Sequence, residues 1–151
     1  MEIRITTLSE NTANYGFLGE WGLSILVEAD GKKILVDSGL SISTVFNADR
    51  LGIDLTGIST IVLSHGHADH TGGLLEVLKR SNGASIIAHP DIWTAKYAQR
   101  SRDNFQYIGI PFSRKELENS DARFIFSVKP VSIAEHYVTH RKQQAINLCM
   151  P

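Results

Sequence analysis

Leu63-Ser-His-Gly-His-Ala-Asp-His-Thr-Gly-Gly73 is the stretch from which the fold is read. Within it His65, His67, Asp69 and His70 bring four side chains able to bind a metal into one short loop. The loop follows the apolar run Thr60-Ile-Val-Leu63 and precedes Gly73-Leu-Leu-Glu-Val-Leu-Lys79, whose spacing is helical. A buried strand therefore ends by delivering a tight polar turn, and a helix begins as soon as that turn is complete, the usual way rigid elements carry a functional loop.

His65 and His67 are two residues apart, so in extended backbone their rings project to one side and can grip a single cation. Asp69 and His70 follow across a turn, with small Gly66 and Ala68 leaving room, and reach either a second cation or the far side of the first. Imidazole with carboxylate suits zinc, iron or manganese better than calcium or magnesium, which favour all-oxygen shells. A divalent metal, zinc first with iron or manganese as alternatives, is therefore the expected cofactor. The competing reading is a polar loop whose histidines cap the next helix or face solvent. Three histidines and an aspartate at this density weigh against it.

Working outward, the composition is that of an ordinary globular chain. At 151 residues, 42% hydrophobic and 21% charged, it has the size of one domain with a real core. A net charge of −1 gives no electrostatic footprint for nucleic acid or anionic membrane. No apolar run approaches the roughly 20 residues of a membrane helix, and Met-Glu-Ile-Arg-Ile-Thr lacks the layout of a signal peptide. The single cysteine, Cys149, rules out an intrachain disulfide. The expectation is a cytoplasmic protein acting on a small molecule, with neither nucleic acid nor membrane as partner.

Strands are predicted over Glu2–Leu8, Gly22–Glu28 and Lys32–Asp37, the last two joined across Asp30-Gly31, a strong hairpin signal. A helix is predicted over Ser43–Leu51, with Val45, Phe46 and Leu51 inward and Gly52 as its stop. Beyond the metal loop, Leu74, Leu75 and Leu78 form the apolar stripe of the next helix, and Ala84–His89 reads as a buried strand ended by Pro90. Asp91 is the expected cap of a short helix through Tyr97, and Arg100–Phe112 an irregular or edge segment. Ser113-Arg-Lys-Glu116 matches a capping box, and Phe124–Val128 and Val131–Ile133 read as strands. The order implies an α/β (α+β) fold, a mixed β-sheet with helices on one face. Residues 136–151 show no clear period and form an anomalous tail behind a domain of residues 1–135.

Ser64-His-Gly-His-Ala-Asp-His-Thr-Gly-Gly73 resembles the His-x-His-x-Asp-His signature of the metallo-β-lactamase superfamily, and Ile34-Leu-Val-Asp-Ser-Gly39 resembles the segment that precedes it there. Asn11–Gly16, Glu20–Ser24, Ala88–Asp91 and Tyr107–Leu117 are similar to a branch containing the dihydropterin–ribofuranosyl-aminobenzene phosphate synthases and related hydrolase-like proteins. The resemblance implies the N-terminal half of an αββα sandwich. It implies up to two metal ions, one on His65 and His67 and a second on Asp69 and His70, with Asp69 also orienting the bridging hydroxide, which makes Asp69 the candidate catalytic residue. Asp37 would support the metal loop from behind. Family members run longer, and their second half adds a histidine to each metal and a bridging aspartate. His136 and His140 match neither, so the expectation is a chain truncated before its remaining ligands, with an apolar sheet face that a second copy would cover.

Other residues are weighed singly. His89 is a candidate extra ligand, though a strand-end histidine bonded locally is the commoner case. Arg100, Arg102 and Arg114 are candidate contacts for a substrate phosphate, set against a solvated rim. Trp21 and Trp93 are candidates to stack on a pterin-like ring, set against plain core packing. The leading expectation is a metallo-hydrolase or pterin-transferring synthase acting on a small phosphate- or pterin-containing substrate. The alternative is a catalytically inactive metal-binding remnant that self-associates. Nucleic-acid processing is the least supported reading.

Overall fold

The computed structural model describes residues 3–134 and 137–138. Its strands are β1 (Ile3–Ser9), β2 (Ser24–Ala29), β3 (Lys32–Val36), β4 (Ile58–Val62), β5 (Ala84–Ala88), β6 (Tyr97–Ser101), β7 (Asn104–Tyr107), β8 (Ala122–Phe126), β9 (Ser132–Ala134) and β10 (Tyr137–Val138). Its helices are α1 (Ser43–Arg50), α2 (Ala68–Thr71), α3 (Leu74–Ser81) and α4 (Arg114–Glu118), with a 3-10 turn at Pro90–Trp93.

Six strands form one mixed sheet in the order β1-β2-β3-β4-β5-β8. β1, β2 and β3 are antiparallel neighbours, whereas β3, β4, β5 and β8 run parallel. Asp30 and Gly31 turn the β2–β3 hairpin with φ of 49° and 75°, the left-handed pair that an Asp-Gly turn supplies at low cost.

The core follows from register. Leu26, Leu35, Ile61 and Ile86 are direct cross-strand partners and are all fully buried. They form one core with Val45 and Ala48 of α1, Leu74, Val77 and Leu78 of α3, and Leu117 of α4. The helices thus cover that face, and burying each such side chain contributes about 1.5–3 kcal/mol. The opposite face carries Val36, Val62, Ile87 and Ile125 in register. It is open towards the ends of the sheet, where Ile5 is 67% and Ile125 43% exposed.

Four expectations need correcting. In α1 only Val45 of the three apolar candidates points inward; Phe46 and Leu51 are exposed. Beside Val45 and Ala48, the buried face of α1 is polar, with Ser43, Thr44 and Asn47. Thr44 donates to the Ser38 carbonyl, and Asn47 donates to the carbonyls of Leu8 and Leu18, so side-chain hydrogen bonds dock the helix. In α3 the stripe is Leu74, Val77, Leu78 and Ser81, while Leu75 packs at the core margin. The cap before the 3-10 turn is His89, whose Nδ1 accepts from the Asp91 N–H, and no helix runs on to Tyr97. Finally, Arg100–Phe112, expected as an irregular or edge segment, holds the end of β6 and all of β7, an exposed two-stranded hairpin separate from the main sheet. The capping box at Ser113 and Glu116 forms as expected. Apart from Tyr137–Val138, the expected tail lies outside the described residues, and among them no helix is long and apolar enough to cross a membrane.

Candidate metal centre

β3, β4 and β5 run parallel and in register at Val36, Val62 and Ile87, so all three end at one edge of the sheet. Asp37 follows β3, the His65–His70 loop follows β4, and His89 follows β5. Carboxyl ends of parallel strands are where open α/β sheets place their sites.

Asp37 is the anchor. It is 1% exposed and sits at φ 55°, a left-handed conformation that an aspartate tolerates better than most residues. Its backbone N–H donates to the Val62 carbonyl at 2.9 Å. Its carboxylate accepts from the Ser64 N–H at 2.8 Å, from the Ser64 hydroxyl at 2.6 Å and from His70 Nδ1 at 2.8 Å. The Ser64 hydroxyl has one proton and gives it to Asp37, so at its 2.9 Å contact with His65 Nδ1 it accepts. Both rings therefore hold a proton on Nδ1 and present the Nε2 lone pair, the tautomer a metal ligand needs. Ser64 was not singled out in the sequence; its place between β4 and His65 was the only signal.

The loop backbone is fixed as closely. The His70 carbonyl accepts from the Ser38 N–H and hydroxyl, and the Asp69 carbonyl from the Leu23 N–H. Glycines permit these approaches: a Cβ at Gly22 would lie 2.1 Å from the Asp69 carbonyl oxygen, and one at Gly73 2.1 Å from that of Ser38.

Donor atoms of His65, Asp69 and His70 converge, all lying within 4.8 Å of one another. The His65 and His70 ring centroids are 4.1 Å apart, and His70 Nε2 is 3.6 Å from Asp69 Oδ2. His67 stands beside this group, its ring edge-on to His65 at 4.6 Å, and among the described residues it does not belong to the convergent set. His89 also stays outside the set, engaged in its own cap. Arg114 pairs with Glu118 at 2.6 Å and lies over the Phe124 and Phe126 rings, and Arg100 donates to Gln106. Arg102 is exposed in the β6–β7 turn. Among the described residues no hydrogen bond or ion pair ties these arginines to the His65–His70 loop. Trp93 packs against Phe124, while Trp21 is 70% exposed.

The histidines titrate in opposite directions. Burial, with the neighbouring His70 and His67 charges, pushes His65 down to about 4, and burial also lowers His67. For His70 burial opposes the charged form, but the Asp37 hydrogen bond and the Asp37 and Asp69 charges outweigh it and raise the pKa above the ordinary 6.5. By linkage, His70 stabilises the metal-free fold below its unfolded pKa, and that contribution is lost as pH rises through its folded value. The neutral His65 costs stability as pH falls from 6.5 towards 4. Divalent-ion uptake is therefore expected to strengthen as pH rises through the His70 pKa. Uptake should release protons below that pKa and fewer as pH rises past it. Calorimetry in buffers of different ionisation enthalpy measures this directly.

A family model described as the metallo-beta-lactamase superfamily matches residues 22–141. The chain belongs to that superfamily. It is 33% identical over 141 residues to the 7,8-dihydropterin-6-methyl-4-(beta-D-ribofuranosyl)-aminobenzene-5'-phosphate synthase of Methanocaldococcus jannaschii, covering 87% of this chain and 47% of the synthase. A metal-dependent hydrolase of Chelativorans sp. is 38% identical over 66 residues, 44% of this chain and 27% of the hydrolase. Among solved structures, the metal-dependent hydrolase Tm1679 of the beta-lactamase superfamily superposes with a TM-score of 0.68 at 27% identity, over 89% of this chain and 46% of that one. The chain thus spans about half the length of these fuller relatives. The fold expected from the sequence, half of a metallo-β-lactamase sandwich, is the fold observed, and membership of the metallo-β-lactamase superfamily implies a divalent metal.

Proposed function

We propose that His65, Asp69 and His70 hold one divalent cation, zinc in the first instance, and that the chain supplies a metal-dependent hydrolytic site for a small phosphate- or pterin-containing substrate. The observation that carries this reading is the convergence of three donor atoms within 4.8 Å, backed by an anchor that fixes both histidine tautomers. The donor set fits the group: two imidazoles and a carboxylate make the three protein ligands of an open catalytic site. A cation so held supplies Lewis acidity, lowering the pKa of a water and polarising a phosphoryl or carbonyl oxygen.

The chain's own residues do the rest. Asp37 holds His70 by its Nδ1 proton and, through Ser64, orients His65. Asp69 presents Oδ2 on the His70 side of the group, where it is placed to accept a proton from an attacking water. His67, edge-on to His65, is the ligand proposed for a second ion. The similarity to the synthase supports a pterin- or phosphate-bearing substrate, and cytoplasmic location belongs to the same proposal.

Two experiments test it. Chelator-sensitive hydrolysis of a phosphoester panel by the full chain is expected; absence of turnover with a bound metal would leave a binding protein, the alternative reading. His65→Ala and His70→Ala each leave two donors of three, Asp69→Asn replaces the carboxylate with a weaker neutral amide oxygen, and all three are expected to weaken zinc binding at least about tenfold. Competition with a chromogenic chelator reads this. Unchanged affinity in all three would sink the proposal.

A further inference from the structure

Lys96 lies against the metal loop, and the chemistry above does not use it. Its Nζ donates to the Thr94 carbonyl at 2.8 Å and the Ile92 carbonyl at 3.3 Å. An ammonium has three protons, so one remains for another acceptor. A Cβ at Gly66 would lie 2.1 Å from the Ile92 oxygen and 3.1 Å from Lys96 Nζ. The absence of a side chain at Gly66 is thus what lets this carbonyl and this cation approach the loop between His65 and His67. The connection is tied on both sides. The Ala68 N–H donates to the Ile108 carbonyl, the Ile108 N–H donates to the Lys96 carbonyl, and His67 bridges Gly109. Lys96 is half-buried, and its charge is felt at His67. Among the described residues the lysine and arginine ion pairs are those of Arg4, Lys79, Arg80 and Arg114; Lys96, like several other cations, has no carboxylate partner.

We propose that Lys96 anchors an anionic phosphoryl oxygen of the substrate at the His67 side of the metal loop, so that this lysine, just ahead of β6, selects anionic substrates. A partly desolvated ammonium with an unspent proton and no counter-ion is a point-charge phosphate binder. Bonding to the Ile92 and Thr94 carbonyls fixes where that proton can go. The inference deepens the function proposed above by assigning the phosphate-recognising residue, and it rests on that site.

The test is a ³¹P titration of the full chain with methyl phosphate, without metal, comparing wild type, Lys96→Met and Lys96→Arg. Lys96→Met is expected to weaken binding about tenfold or more, a change of one decade in Kd, and Lys96→Arg to retain most of it. Zinc affinity should stay near the wild-type value in both variants. Methyl phosphate binding unchanged in Lys96→Met, or absent in wild type, overturns the assignment. Should Lys96→Met lose its cooperative melt, wild type decides alone: neutral trimethyl phosphate should fail to displace methyl phosphate, and equal competition overturns the assignment. Wild type that binds no divalent ion yet shows Lys96-dependent methyl phosphate binding would sink the metal reading and leave this one standing. The converse pattern would sink only this one.

Discussion

Asp37→Ala is expected to destabilise the fold by roughly 3 kcal/mol and to weaken divalent-ion binding 10- to 100-fold. The carboxylate is buried and accepts three hydrogen bonds, two from Ser64 and one from His70. Its removal strands the Ser64 N–H and frees both imidazoles to adopt the other tautomer. Alanine also takes the left-handed backbone at φ 55° less readily than aspartate. Asp37→Asn keeps the shape, so it should recover part of the stability. It should recover little of the metal affinity, because an amide accepts more weakly from His70 and Ser64. Urea unfolding and zinc calorimetry separate the two effects; loss of less than about 1 kcal/mol in Asp37→Ala would show that the anchor is incidental.

Gly72→Ala should be as damaging, for a steric reason. Gly72 has φ −68° and ψ −27°, ordinary helical values, and helix propensity alone would favour alanine by about 1 kcal/mol. The added Cβ, however, would lie 1.9 Å from the Leu40 carbonyl oxygen and 2.8 Å from that of Ala68. Both obstacles are backbone, so no rotamer change relieves them. The segment after β3 must then move away from the loop that carries His70, at a cost of roughly 3 kcal/mol or more. Gly57→Ala is the matched control, since its Cβ would meet only the flexible Lys33 side chain at 3.4 Å. Thermal melts of the two variants should differ widely; similar melting would mean that the loop and the β3 end are not in close contact.

These two sites show how unevenly the sequence discloses its structure. The metal loop was legible because its residue types serve few other purposes at that density, and the β2–β3 turn because Asp-Gly pairs supply two left-handed residues. Asp37 was legible only through resemblance: nothing in Ile34-Leu-Val-Asp-Ser-Gly39 tells that a buried carboxylate will face Ser64 and His70. The β6–β7 hairpin reads from sequence only as an irregular or edge segment, because both strands are exposed almost throughout and no alternation of apolar and polar residues marks them. The inward face of α1 was misread because hydrophobic periodicity cannot register docking by Thr44 and Asn47 through carbonyl groups. Lys96 looked like any surface lysine. Its position depends on the missing side chain of Gly66, a contact thirty residues away in the chain that no local pattern encodes.

In the proposed function, His65, Asp69 and His70 of one strand-to-helix loop clasp a cation. Cobalt(II) titration of the full chain, followed by visible absorption and by X-ray absorption at the metal edge, tests it most directly. The expected result is a saturable site with imidazole back-scattering from two rings, abolished in the His65→Ala, His70→Ala double variant. A spectrum without imidazole ligands, or one that the double variant reproduces, would contradict the claim.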